Sequence, residues 1–201
     1  LTDFGDRDGY VGVMKGVIHQ IVHQARSRPI PLVDIAHNIP RQGVSEAAWV
    51  LNTSFQHFPP KTIFLNVVDP HVGDVHQDKI LLYWRDRQQF FIAPDNGLLT
   101  YILEQSDPTV EVYRVTNPKF YREAYASPSA TFHGRDIYAP LAGYLANAII
   151  SEEFRVFVEE LGNRLSIQDL KRLDIQQPNQ YGSGEADHLE GVVTYIDGYG
   201  N

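Results

Sequence analysis

The sequence contains no cysteine, a single methionine and no long apolar run. Without cysteine the chain can form no disulfide bond, no thiolate metal site and no cysteine nucleophile. No stretch approaches the roughly 18 consecutive apolar residues of a membrane-spanning helix. The chain also opens without the charged and then apolar segment of a secretion signal. These absences exclude several classes of protein, and we expect a cytoplasmic one.

Basic residues are also scarce. The chain has 17 lysines and arginines against 25 aspartates and glutamates, a formal net charge of −8, and no run of basic residues. Such a chain lacks the positive surface with which proteins bind nucleic acids or anionic membranes. We therefore expect neither partner, and a cationic or neutral ligand is easier to accommodate.

The remaining composition, 201 residues of which 43% are hydrophobic, is that of a globular protein with a substantial core. Apolar residues at helical spacing predict helices at 11–25, 44–55, 97–104 and 137–149. Short apolar runs predict strands at 63–68, 80–84, 89–93 and 110–115, and a β-branched run lies at 30–35. This alternation predicts an α/β fold, with a largely parallel sheet and helices on both faces.

Both ends of the chain indicate incomplete units. Only Leu1 precedes the first polar string, so we expect part of the first strand to be missing. Residues 191–197 predict a strand that, being alone, begins a second domain or pairs with another chain. The predicted organisation is an α/β domain at 1–164, a polar connector at 165–190 and the start of a second domain at 191–201.

Four polar, glycine-containing strings follow or open the apolar runs. They are TDFGDRDGYVG at 2–12, VVDPHVG at 67–73, APDNGLLT at 93–100 and TFHGRDIYAP at 131–140. Strands that end at an acidic or amide residue followed by glycine or proline often present binding groups in α/β sheets. The strings therefore predict a small-molecule site.

Together with VDIAHNI at 33–39 and DGYGN at 197–201, these strings resemble the S-adenosylmethionine (SAM) hydroxide adenosyltransferases, a family that includes fluorinating and chlorinating enzymes. The resemblance runs over nearly the whole chain. It implies an N-terminal α/β domain and a small C-terminal β-barrel, of which the first strand is present and the remainder absent. It also implies a homotrimer whose sites lie between one subunit's α/β domain and the next one's barrel.

The resemblance implies roles for particular residues. Asp3 would accept both ribose hydroxyls, and Asp8 would lie near the cationic methionine end. Asp69 and His133 would activate the nucleophile, while His76 occupies the place of an expected arginine. The further substrate-binding residues that it implies are Asn96, Phe132, Asp197 and Asn201.

The implied reaction is hydrolysis of SAM to adenosine and L-methionine, with SAM as substrate and no cofactor. The fluorinating branch has a tyrosine in place of Asp69, a serine in place of Gly134 and an insertion that this chain lacks. A carboxylate at position 69 would repel a halide and accept a proton from water, so water is the expected nucleophile.

Other interpretations stay open at this stage. Asp3 and Asp8 are typical helix caps, and Asn96, Asp197 and Asn201 are typical turn residues. Without the arginine, the protein could bind SAM or adenosine with little catalysis, unless Lys79 takes its place. A chlorinase and a metal-dependent hydrolase are further alternatives. The residues that suggest a metal are His19, His23, Asp69, His71, Asp74, His76 and Asp78.

Overall fold

A computed structural model describes residues 1–105, 109–122, 128–181 and 188–201. The helices within these ranges are α1 (Tyr10–Gln24), α2 (Val44–Ser54), α3 (Thr100–Gln105), α4 (Ala139–Ile150) and α5 (Phe154–Leu161). The strands are β1 (Ile63–Leu65), β2 (Lys79–Trp84), β3 (Gln89–Pro94), β4 (Val110–Arg114), β5 (Arg164–Leu165), β6 (Asn179–Tyr181) and β7 (His188–Glu190). None of the described helices is both long and apolar enough to cross a membrane.

The main sheet is mixed, with strand order β1-β3-β2-β4-β5. Strands β1 and β3 are parallel, and Thr2 adds a parallel bridge to Val67. The pairs β2/β3, β2/β4 and β4/β5 are antiparallel. The predicted α/β class is therefore confirmed, but the sheet is less parallel than predicted. The reason is the four-residue turn at 85–88, since a connection that short joins antiparallel neighbours.

Helices cover both faces of this sheet, as predicted. Side chains alternate along each strand, so that Leu81 packs with α1, α4 and α5 while Ile80 and Leu82 pack with α2 and α3. Leu51 on α2 and Leu141 on α4 are fully buried. Complete burial of a leucine contributes about 1.5–3 kcal/mol, so both layers fix the positions of the strand ends.

Two predicted extended segments do not pair. Residues 30–35 form no strand, because Pro29 and Pro31 lack the amide hydrogen that a ladder needs. Residues 191–197 form no strand either, and Val193 is 74% exposed, because the described chain places no partner beside them. The first strand of a barrel is thus not formed here, and the predicted division into three parts stays a prediction.

The predicted connector contains the short antiparallel pair β6/β7. Residues 182–187, which belong to this predicted connector, lie outside the described residues. Before them, 165 ends β5 and 167–169 form one turn of 3-10 helix. The described part of the connector therefore contains short elements of regular structure.

A buried carboxylate ties α5 to the sheet. Glu111 on β4 is 3% exposed and pairs with Arg155 at 2.6 Å, with Arg85, and with the hydroxyl of Tyr113 at 2.6 Å. Burial alone would raise the pKa of Glu111, but the bonds from Arg155, Tyr113 and Arg85 outweigh it and lower the pKa to about 2. Glu111 therefore stays ionised to a lower pH than an ordinary glutamate does.

Because the pKa of Glu111 is lowered in the folded state, its contribution is complete above its ordinary pKa of 4.5 and is lost as the pH falls toward 2. We expect Glu111→Gln to lower the free energy of unfolding by about 1–3 kcal/mol at pH 7. The difference from the unmodified protein should shrink between pH 4.5 and 2. Urea unfolding at several pH values measures this, with the exposed Glu159→Gln on α5 as control. Equal effects of the two substitutions would contradict the assignment.

Candidate active site

A cleft of about 540 Å³ lies beside the Thr2–Val67 bridge. This volume is within the range of about 300–1,000 Å³ that is usual for small-molecule sites. Three of the four polar strings line it, whereas the string at 93–100 does not. The polar residues of its lining are Asp3, Asp69, Thr131, His133, Arg135 and Tyr138, and the apolar ones include Phe4, Tyr10, Val13, Met14, Val72 and Phe132.

Asp3 reaches the cleft at the end of the bridge segment. The amide of Gln42 donates to its Oδ2 at 2.8 Å. On either side, the amide of Thr2 donates to the carbonyl of Ala36 at 3.0 Å and that of Gly5 to the carbonyl of His37 at 2.7 Å. The carboxylate is thus held by main-chain contacts, and it can accept hydrogen bonds from a ligand.

Asp69 lies in the loop after β1. Its Oδ1 accepts the amide of His71 at 3.1 Å, and its Oδ2 accepts the hydroxyl of Tyr138 at 3.4 Å. Burial, with help from the negative charge of Asp69, raises the pKa of Tyr138 well above its usual range. Tyr138 therefore remains a hydrogen-bond donor, and Asp69 is oriented from two sides.

His133 opens a π-helical turn, Gly134–Tyr138, that leads into α4. The residue is 8% exposed, and within the described chain the ring Nδ1 is buried without a hydrogen-bond partner. Burial and the charge of Lys79 lower the pKa of His133, while Asp69 and Asp136 raise it. A neutral imidazole in this position can accept a proton from a group in the cleft.

Glycine brings two of the strings into contact. Gly73 has φ +91°, and a Cβ there would lie 2.5 Å from the carbonyl oxygen of Ala130. A larger residue would be both strained and too close to the backbone. The Asp69 loop can therefore pack against the segment that carries His133 only with glycine at position 73.

Aromatic rings form the lip of the cleft. Tyr10 and Phe132 are 46% and 40% exposed, with ring centroids 5.9 Å apart. The guanidinium carbon of Arg135 lies 4.9 Å from the centre of the Phe132 ring, and this arginine also pairs with Asp136. Exposed aromatic rings around a cavity suit a planar, partly apolar ligand.

The structure thus brings together four of the predicted site residues, Asp3, Asp69, Phe132 and His133. It adds residues that the sequence analysis missed. Phe4, Tyr10 and Tyr138 all belong to the strings at 2–12 and 131–140, and this position in the sequence could have identified them as cleft residues. Met14 follows Tyr10 by one helical turn and shares its face of α1.

Two predicted residues lie outside the cleft lining: Asp8, within the first string, and His76, shortly after the second. Asp8 is exposed, and α1 begins after Gly9 without a hydrogen bond from any side chain. Helix capping by Asp3 or Asp8 is therefore wrong for this helix. His76 is exposed, and its amide donates to Oδ1 of Asp74 at 2.8 Å. His76 therefore does not line this cleft in the described chain, and its catalytic role stays a prediction.

Three other predicted residues make turns. The side chain of Asn96 donates to the carbonyl of Val68 at 2.9 Å and accepts the amide of Leu98 at 3.2 Å. Asp197 accepts the amide of Asn201 at 2.9 Å and its side-chain amide at 3.0 Å, in an exposed turn. None of the three lines the cleft of the described chain, and the turn alternative accounts for their local contacts.

The metal alternative lacks a suitable geometry in the described ranges. Within 1–105, 109–122, 128–181 and 188–201, no three His, Cys, Asp or Glu side chains lie close enough together to hold an ion. His71 and His76 are both exposed, and the carboxylate of Asp74 is engaged by the amide of His76. The sequence spacing of these residues therefore does not translate into a ligand set.

The chain has relatives among known proteins. Residues 1–155 match the sequence model of the SAM hydroxide adenosyltransferase N-terminal domain. Similar proteins include (R)-S-adenosyl-L-methionine hydrolases from Methanocaldococcus jannaschii, 34% identical over 85% of this chain, and from Thermus thermophilus, 32% identical over all of it. A fluorinase from Actinoplanes sp. is 26% identical over 98% of the chain.

The fold also has a solved counterpart. An uncharacterized conserved protein from Thermotoga maritima superposes with a TM-score of 0.74 at 35% identity, over 88% of this chain and 61% of that one. The chain spans 59% of the length of the Methanocaldococcus protein, 71% of the Thermus protein and 66% of the Actinoplanes protein. The comparisons therefore concern only part of each relative.

The charges around His133 predict how its ring titrates. Its pKa should lie below the ordinary value of 6.5, and Asp69→Asn should lower it further because a stabilising negative charge is removed. Lys79→Met should raise it, because a repelling positive charge is removed. Ring nitrogen chemical shifts in NMR spectra recorded against pH measure these changes. Asp86→Asn, in the exposed turn at 85–88, is the control, and a response equal to that of Asp69→Asn would contradict the arrangement.

Proposed function

This chain belongs to the SAM hydroxide adenosyltransferase family, and we propose that it hydrolyses SAM to adenosine and L-methionine. The observation that carries the proposal is the presence of Asp3, Asp69 and His133 around one cleft. The relatives named as hydrolases share 30–34% identity with it, against 26–27% for those named as fluorinases. Both the geometry and the relatives thus favour water as the nucleophile.

In this reaction the oxygen of water attacks the ribose C5′ from the side opposite the sulfonium. A C5′–O bond forms, the C5′–S bond breaks, and the thioether of methionine leaves with the bonding electron pair. The released proton passes to the protein. Because SAM carries its own leaving group, we propose that no cofactor is needed. Aligning water with C5′ is the main requirement, and such alignment is worth about 7–11 kcal/mol in the best cases.

Asp69 and His133 are the groups that would hold and deprotonate the water. Tyr138 fixes the direction of the Asp69 carboxylate, since its hydroxyl stays protonated. The lowered pKa of His133 keeps its imidazole neutral near pH 7 and able to accept a proton. We therefore expect the rate to fall on the acidic side, where His133 becomes protonated.

Asp3 would bind the ribose, because a carboxylate oxygen pair can accept from two adjacent hydroxyls. Phe132 would contact the nucleoside at the lip of the cleft. Asp8, exposed beside the start of α1, would attract the positively charged methionine end of SAM. These roles complete the part of the site that one chain supplies.

We further propose a homotrimer, acting in the cytoplasm, in which the turn with Asp197 and Asn201 serves a neighbouring subunit's site. That turn is exposed, as a contribution to another subunit requires. Asn96 is retained as a substrate-binding candidate, although its two hydrogen bonds to the backbone support a role in holding the turn.

The floor of the cleft supports water over a halide. A Cβ at Gly134 would lie 3.1 Å from the sulfur of Met14 and 3.1 Å from the ring of Phe4. The serine of the fluorinating branch would therefore require both neighbours to shift. The carboxylate of Asp69 also disfavours an anion beside C5′. Chloride use remains an outcome that the product analysis below distinguishes.

A second candidate is a SAM- or adenosine-binding protein with little catalysis. Two facts about His76 favour this candidate. It is exposed, and it stands at the position where the family resemblance implies an arginine. Lys79 offers a partial replacement, because its charge is close enough to lower the pKa of His133. Its ammonium also donates to the carbonyl of Gln77 at 3.1 Å, which fixes its place at the start of β2. Measured turnover separates the two candidates.

Asp69→Ala and His133→Ala should each lower kcat by about 10²–10⁴-fold, the usual contribution of a positioned acid or base. The dissociation constant for adenosine should stay within about threefold, because neither group is assigned to nucleoside binding. Chromatography of SAM incubated with each variant, with and without chloride, measures adenosine, 5′-chloro-5′-deoxyadenosine and remaining SAM. Asp86→Ala is the control. Turnover that survives both substitutions would rule out the proposed water activation.

Asp3→Ala should weaken adenosine binding by about 10–100-fold, which corresponds to losing about 1.5–3 kcal/mol of charge-assisted hydrogen bonds. Titration calorimetry measures the affinity. Asp6→Ala is a matched control, because Asp6 lies in the same string but bonds to Asn38 outside the cleft lining. An adenosine affinity that does not change in Asp3→Ala would remove the role assigned to Asp3.

A further inference from the structure

A second cavity of about 920 Å³ lies next to the cleft. Met14 lines both spaces, and Thr2 borders the second cavity while its neighbour Asp3 borders the cleft. The polar side chains of this cavity include a continuous chain of contacts. Lys15 pairs with Oδ2 of Asp34 at 2.6 Å, and Oδ1 of Asp34 bonds to Nε2 of His37 at 2.9 Å.

This series of contacts continues from His37 to the segment that carries Asp3. Nδ1 of His37 bonds to the hydroxyl of Thr2 at 2.9 Å, and that hydroxyl oxygen accepts the amide of Phe4 at 3.3 Å. The side chain of His37 is therefore connected to the residues on both sides of Asp3. Nothing in the proposed reaction uses these contacts, since the side chains of Lys15, Asp34 and His37 line the second cavity and not the cleft.

The chemistry of these groups gives each hydrogen bond in this series a defined donor and a defined acceptor. The bonds from Lys15 and His37 lower the pKa of Asp34, whose carboxylate can then only accept hydrogen bonds. Nε2 of His37 must therefore carry a proton. In the neutral ring Nδ1 is then an acceptor, and the hydroxyl of Thr2 donates to it. This leaves a lone pair of the Thr2 oxygen for the amide of Phe4, so every group has one defined role.

Main-chain bonds from the same loop reinforce this arrangement. The carbonyl of His37 accepts the amide of Gly5 at 2.7 Å, and the carbonyl of Ala36 accepts the amide of Thr2 at 3.0 Å. Together, residues 36 and 37 hold the backbone before and after Asp3. The orientation of the Asp3 carboxylate in the cleft thus depends on a loop that does not itself line the cleft.

We propose that His37 is a positioning residue that fixes Asp3 for ribose binding through its bond to Thr2. Asp34 and Lys15 set the orientation of the His37 ring. His37 touches neither the substrate nor the reacting atoms, so it acts on binding of the nucleoside rather than on the displacement step. The role in ribose binding rests on the proposed function, whereas the effect on the Asp3 segment does not.

Two substitutions at position 37 separate the two bonds of the ring. The oxygen of asparagine occupies the place of Nδ1 and can accept from Thr2, whereas the amide nitrogen of glutamine reaches the place of Nε2 and donates to Asp34. We expect His37→Gln and Thr2→Val to raise KM for SAM and Kd for adenosine by about 10-fold, as expected for loosened hydrogen bonds, with kcat within about threefold. His37→Asn should stay close to the unmodified protein. His19→Gln, on an exposed part of α1, is the control.

Amide hydrogen exchange of the full chain tests the positioning without reference to activity. The amide of Gln42 donates to Asp3, so its exchange and that of Phe4 and Gly5 report on the segment. We expect faster exchange at these amides in His37→Gln and Thr2→Val, and protection in His37→Asn. If the unmodified protein neither binds adenosine nor hydrolyses SAM, the proposed function fails and exchange still decides on the positioning.

Several results would overturn the proposal. One is unchanged exchange at Phe4, Gly5 and Gln42 in both His37→Gln and Thr2→Val. Another is an equal loss in His37→Gln and His37→Asn, which would mean that the bond to Thr2 is not the connection that matters. A fall of kcat at unchanged Kd would likewise contradict a role in binding. Thr2→Val is nearly isosteric, so it provides the test if His37→Gln does not fold.

Discussion

The parallel bridge between Thr2 and Val67 is the contact on which the cleft depends. Because parallel segments end at the same edge of a sheet, this pairing places Asp3 and Asp69 together although they are far apart in the chain. The bridge is short and would be weak alone. It is supported by the burial of Val67 on one side and by the loop at 36–37 on the other. Without this bridge, the strand pairing would not bring the carboxylates of Asp3 and Asp69 to the same cleft.

Local patterns predicted the elements of this fold better than their arrangement. The periodicity of α1, α2 and α4 and the hairpin of β2 and β3 follow from residues close in sequence, and the structure has them within a few residues of the predicted bounds. Strand direction depends on which segments meet, which periodicity does not encode. The apolar segment at 191–197 has the composition of a strand, but pairing requires a neighbour that composition cannot supply.

The same limit applies to the site. Asp3, Asp69, Phe132 and His133 were implied by the family resemblance that the polar strings carry, and these four do line one cleft. Tyr138 was missed because its importance arises from a contact with a residue 69 positions away. Asn96 and Asp197 belong to residue types that serve ligands and turns equally well, so sequence alone leaves both uses open. Only the position of the side chain, or a measurement, distinguishes a ligand-binding role from a role in a turn.

The π-helical turn before α4 has a consequence for how this protein can vary. The amide of Ala139 bonds to the carbonyl of Gly134, so the turn holds one residue more than an α-helical turn. Deleting one residue here would restore regular winding and rotate one flank against the other by about 100°. Either His133 would swing away from the cleft, or the apolar stripe of α4 would leave the core. The length of this turn is therefore fixed by the chemistry of the cleft and the packing of α4 together.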